Sequence, residues 1–133
     1  MKKILFIAAL FLAQYSFAQT PTPTDVQFPT INHQFGKIKK GVPVTYLFSF
    51  KNVSEKPVVI EFANAECGCT TPEYPQTPIT KGQSNTIKVT YNAATEGVFK
   101  KNVNVKFANT KLPYVLTIEG EVLPEKASTT PKK

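Results

Sequence analysis

Alternation with a period of two limits what this chain can fold into. In VPVTYLFSFKN (residues 42–52), Val44, Tyr46, Phe48 and Phe50 alternate with Thr45, Leu47, Ser49 and Lys51. Successive side chains of a strand point to opposite faces, so one face is apolar and the other wet. The pattern recurs in NTIKVTY (85–91), GVFKKNVNVKF (97–107) and PYVLTIEGEV (113–122), and HQFGKIKKG (33–41) adds Phe35 and Ile38. Val58-Val59-Ile60-Glu61-Phe62 supplies a further short run. No stretch of useful length repeats with a helical period. Turn signals separate the runs, among them NVSEKP (52–57) and PITKGQS (78–84), where Gly82 is free to take a positive φ.

Six or seven short strands, each apolar on one side, bury those sides by stacking two sheets face to face. The sequence therefore predicts an all-β, antiparallel sandwich of about seven strands. With no Trp and only two cysteines, close together in sequence, the staple across the sheets familiar from antibody domains is absent. The core falls to aliphatic residues and to Phe35, Tyr46, Phe48, Phe50, Phe62, Tyr91, Phe99, Phe107 and Tyr114.

The ends read differently from the middle. In MKKILFIAALFLAQYSFAQ, Lys2 and Lys3 precede an apolar run from Ile4 to Ala13, and Ser16-Phe17-Ala18 has small residues where a leader peptidase cuts. The run is shorter than the about 20 residues a membrane-spanning helix needs. A signal peptide over 1–18 is expected, with an exported mature chain beginning at Gln19 and holding no transmembrane segment. Residues 19–30, with TPTPTD, read as a flexible linker, 31–123 as the domain, and 124–133 as a disordered tail. The formal net charge is +7, but every basic residue is Lys, scattered between apolar positions as on solvated strand faces. Without arginine for base edges, and with export expected, a nucleic-acid partner is not.

Both cysteines lie in NAECGCTTPEY (64–74), as Cys67-Gly68-Cys69. A disulfide suits an oxidising compartment. Closing so short a loop stabilises by only about 1.6 kcal/mol on the chain-entropy model, and strain in so small a ring offsets that. Such a bond is easily reduced, which opens a redox reading. In a regular strand the two residues would stand roughly 6.5–7 Å apart on one face, in a row with Ala63 and Ala65. Gly68 would then have to kink the chain for the sulfurs to meet. A third reading is a strand end where the cysteines are small apolar side chains. A fourth is Cu(I) held by Cys67 and Cys69 alone, since His33 is the one histidine and Met1 the one methionine. No cofactor is expected. His33 and the carboxylates Glu61, Glu66 and Glu73 form no catalytic spacing, and Asn52-Val53-Ser54 fits the N-glycosylation triplet.

In order and spacing, HQFGKIKKG, the stretch from Phe48 to Ala93 and GVFKKNVNVKF resemble the bacterial domain-of-unknown-function family 1573 over about residues 31–122. The most specific element is Cys67-Gly68-Cys69-Thr70, with Asn52 and Pro57 at its approach; Pro78 and Gly82 mark the second. The resemblance implies an immunoglobulin-like fold and export in a Gram-negative bacterium, to the periplasm or beyond the cell. It also implies likeness to immunoglobulin-like modules of chaperone, sperm-protein and cilium-associated domains, which bind proteins by strand edges or loops. The expectation is a non-enzymatic module with a protein or cell-envelope partner. The alternative is thiol–disulfide or Cu(I) chemistry at Cys67 and Cys69.

Overall fold

A computed structural model describes residues 25–125. They form eight strands: β1 (Val26–Gln27), β2 (Asn32–Lys39), β3 (Val44–Asn52), β4 (Ile60–Ala65), β5 (Thr70–Glu73), β6 (Ser84–Tyr91), β7 (Gly97–Phe107) and β8 (Tyr114–Leu123). One sheet has the order β1-β3-β6-β5 and the other β2-β8-β7-β4. Every pairing is antiparallel except β2 with β8, which is parallel. The expected sandwich is present.

The alternating residues meet between the sheets. Phe48, Phe50, Ile87 and Val89 from the first sheet face Val103, Val105, Phe107, Leu116, Ile118 and Val122 from the second, all buried. Each large side chain so removed from water contributes on the order of 1.5–3 kcal/mol. At one end Phe28, Phe50, Phe107 and Tyr114 form an aromatic cluster, with Phe28 and Tyr114 5.2 Å apart by ring centroids. Towards the other end Tyr91 stacks on Phe99 at 4.1 Å.

The ordered fold begins earlier than the sequence suggests. Residues 25–30 read as linker, yet Val26 is buried and pairs with Asn52, and Phe28 enters the aromatic cluster. The Tyr114 hydroxyl donates to the Val26 carbonyl (3.0 Å) and accepts from its N–H (3.2 Å). Burial raises the pKa of that hydroxyl. A two-residue strand is too short for alternation to reveal. The leader, the rest of the linker and residues 126–133 of the tail lie outside the described residues.

Phe62 is a second departure. The β4–β7 register shifts between Ile60 and Phe62, so Ile60 and Ala63 are both buried, and Phe62 comes to pair with Lys106. A bulge reverses the inward and outward parity of the residues beyond it. Phe62 is therefore only partly buried and outside the core cluster.

Candidate functional site

The Cys-Gly-Cys run sits where the chain changes sheets. Strand β4 is an edge of the second sheet and ends at Ala65; β5 is an edge of the first and starts at Thr70. Residues 66–69 make the turn between them, closed by the Thr70 N–H donating to the Cys67 carbonyl at 3.4 Å. Cys67 and Cys69 are joined by a disulfide, with Cα atoms 5.3 Å apart. The turn supplies this approach, because a continued strand would hold the pair farther apart. Gly68 has no positive φ, and a Cβ there would meet nothing within 4 Å. The kink expected at glycine is thus an ordinary turn.

Neighbouring residues fix the turn at both ends. The Glu66 N–H donates to the Asn102 carbonyl at 3.3 Å, and the Asn92 N–H donates to the Cys69 carbonyl at 3.0 Å. Thr70 is buried, its Oγ1 lying 3.8 Å from the Cys67 sulfur and 3.7 Å from the Cys69 sulfur. Cys69 packs partly against the core and borders a recess of about 330 Å³ shared with Tyr91, Phe99, Lys100 and Lys101.

His33 is not brought to the cysteines. It lies on β2, with β8 and β7 between it and β4. Its ring stacks on Tyr46 at 3.6 Å and meets Phe35 edge-on at 4.6 Å. Burial lowers its pKa by disfavouring the imidazolium. Among the described residues no group of three or more His, Cys, Asp or Glu is placed to hold a metal ion.

Asn52, flagged in sequence only as a glycosylation triplet and a family position, has a structural task. It is fully buried, and its Nδ2 donates to the Lys56 carbonyl (2.8 Å) and the Ile79 carbonyl (2.9 Å). Its Oδ1 accepts from the Ser54 N–H (2.9 Å) and the Ser54 hydroxyl (2.8 Å). All four side-chain bonds are made, and the amide that a glycan would need is enclosed.

The sheet edges differ in how they are protected. Strand β4 carries a bulge, β5 is four residues long with Pro72, and β2 has a register break at Gly36 beside Lys37. Such features discourage pairing with another chain. Strand β3 lacks them from Val44 to Phe50. Strand β1 pairs only with Lys51 and Asn52, so no described strand is hydrogen-bonded to the rest of that edge. The peptide groups of a strand alternate in direction. The Asn52 N–H goes to Gln83, towards β6, and the Val53 N–H goes to Asp25, on the opposite side. The β3–β6 register is unbroken, which turns the N–H and C=O groups of Thr45, Leu47 and Ser49 to the open side. Leu47 projects from the middle of this edge with 52% of its surface exposed. The signal was present in sequence as an outward apolar residue in the uncharged stretch from Val44 to Phe50; which edge was open was not.

Comparison with known proteins places the chain. The model of a family described as "Protein of unknown function (DUF1573)" matches residues 26–122. The chain belongs to the DUF1573 family. Among curated proteins no sequence matches it. Among solved structures, the chain is similar to PapD-like domain 7 of human CEP192, an ASH/PapD-like domain (TM-score 0.66, 9% identity, 81% of this chain and 92% of that one). It is also similar to a protein of unknown function from Porphyromonas gingivalis W83 (TM-score 0.64, 12% identity, 73% of this chain and 46% of that one). A third is the VesB protease of Vibrio cholerae (TM-score 0.59, 10% identity, 74% and 32%). This DUF1573 chain thus spans less than half of the latter two. At these identities the likeness is one of fold: a PapD-like, immunoglobulin-like sandwich. Among the described residues no helix is long and apolar enough to cross a membrane.

Proposed function

We propose that this DUF1573 chain is an exported, non-enzymatic module that binds a protein or cell-envelope partner through the open edge of β3. The observation that carries the reading is the uncharged, regular edge from Val44 to Phe50, with Leu47 exposed at its centre. An extended segment laid along such an edge gains main-chain hydrogen bonds, and a pocket or side-chain contact supplies selectivity. Export rests on the N-terminal leader pattern, and the exported protein is expected to have the mass of a chain beginning at Gln19.

The test compares capture from an envelope extract by the wild-type chain and by Leu47→Pro. The Leu47 N–H faces the open side, so proline there removes no ladder bond to β6 but blocks an added strand. A partner retained by the wild type and lost by the variant, at equal unfolding midpoints, supports the reading. Equal capture by both overturns it.

The turn supports a second reading, thiol–disulfide exchange at Cys67–Cys69, because both residues are only partly buried and their bond closes a loop of three residues. Thiolate attack by a dithiol partner on one sulfur would release the other as a thiolate, and the partner's second thiolate would complete the transfer. A reduction potential below about −300 mV, in the range of inert structural disulfides, would exclude it. Cu(I) capture would first need the same reduction, and copper analysis of protein purified under reductant tests it.

A further inference from the structure

We infer that the open edge of β3 pairs with the same edge of a second copy, in antiparallel register about Leu47, joining two four-stranded sheets into one. This rests on the reading of that edge as a binding surface and names the partner as the chain itself.

The open stretch is self-complementary. A two-fold axis at Leu47 sets Leu47 opposite Leu47, and Thr45 opposite Ser49 of the partner. An isologous contact requires such mutual pairing. Leu47 is the one large apolar side chain among the outward residues of the stretch, and its exposure is removed by its counterpart. No residue from Val44 to Phe50 is charged, so no like charges meet along the seam despite the chain's net positive charge. The peptide groups of Thr45, Leu47 and Ser49 all face the open side, which makes these three positions the hydrogen-bonded pairs of the new ladder.

The limits of the stretch agree with this register. At one end β1 occupies the edge beside Lys51. At the other the chain leaves the sheet through the turn before Val44, where Gly41 has φ +73° and its N–H donates to the Ala93 carbonyl at 2.9 Å. Under the two-fold these ends meet. The partner's chain turns away at Pro43, where β1 would block it. Seven residues per copy give a small seam, so association belongs to the weak, reversible class.

The test is the oligomeric state of the full chain by sedimentation from micromolar to submillimolar concentration. A monomer–dimer equilibrium is expected, abolished across that range by Leu47→Pro and by Leu47→Lys, whose folded state is checked by unchanged thermal unfolding. Register is read by cysteine cross-linking. A mixture of Thr45→Cys and Ser49→Cys chains is expected to give a covalent heterodimer, while neither variant alone links to itself. A chain that stays monomeric, or a dimer that survives both Leu47 variants, overturns the self-pairing. If the monomer still loses its envelope partner on Leu47→Pro, self-pairing has failed and the binding edge stands; if capture is also unchanged, both have failed.

Discussion

Gly120 lies beneath the carbonyl of Gly36: a Cβ at Gly120 would come 2.8 Å from that oxygen and 3.0 Å from the ring of Phe99. The oxygen belongs to the backbone of β2, where its pairing with β8 is irregular, and Gly36 is held there at φ +71°. It has little freedom to retreat. Gly120→Ala is therefore expected to cost about 2–3 kcal/mol, at the upper end for overpacking, measured by urea unfolding. Phe99→Leu removes the ring contact but not the carbonyl contact, so Gly120→Ala made in a Phe99→Leu background, and measured against Phe99→Leu alone, is expected still to carry the loss caused by the oxygen. No loss in that background would assign the constraint to Phe99.

Asn52 joins two turns that are distant in sequence, through Lys56 and Ser54 on one side and Ile79 on the other. Asn52→Ala takes the partner of the part-buried Ser54 N–H and the second donor of the Ile79 carbonyl, which keeps the Val58 N–H at 2.9 Å, so one orphaned donor, at about 1–3 kcal/mol, carries most of the cost. A total loss of about 2 kcal/mol is expected in chemical denaturation. Asn52→Asp is expected to be at least as harmful, since both donated bonds vanish and a charge is buried. A loss under about 1 kcal/mol for Asn52→Ala would show that water takes over the amide's role.

The two-sheet architecture was legible because β3, β6, β7 and β8 alternate over whole strands, and their buried residues, such as Phe48, Ile87, Val105 and Leu116, follow that period. The features that escaped depend on partners remote in sequence. Val26 and Phe28 are tied down by Asn52 and Tyr114, which no local pattern announces. Phe62 is displaced by a bulge that alternation cannot register. The Cys-Gly-Cys run stood out as chemistry, yet its position at a sheet-to-sheet crossing is set by which edges β4 and β5 occupy. The same holds for the open side of β3.

The disulfide is expected to matter little to global stability. Its loop of three residues restricts the unfolded chain by about 1.6 kcal/mol. Meanwhile β4 and β5 are held independently by β7 and β6. Urea unfolding of the Cys67→Ala/Cys69→Ala double variant, and of wild type with and without reductant, is expected to show losses no larger than that. A loss above about 3 kcal/mol would show that the bond clamps the crossing itself.

His33 gives the fold a pH dependence in a window where ordinary carboxylates do not titrate. Its imidazole stacks on Tyr46, and burial holds its pKa below the unfolded value of 6.5. As pH falls, the unfolded chain takes up the proton first, so acid favours unfolding. Stability from the neutral ring is fully present above pH 6.5 and declines as pH drops through 6.5 towards the lower folded-state pKa. Thermal unfolding followed from neutral pH to about pH 5 is expected to show a falling midpoint before carboxylate protonation begins near 4. His33→Phe retains an aromatic ring against Tyr46 without a proton to gain, and is expected to flatten the profile. An equal slope in His33→Phe would assign the acid sensitivity to another group.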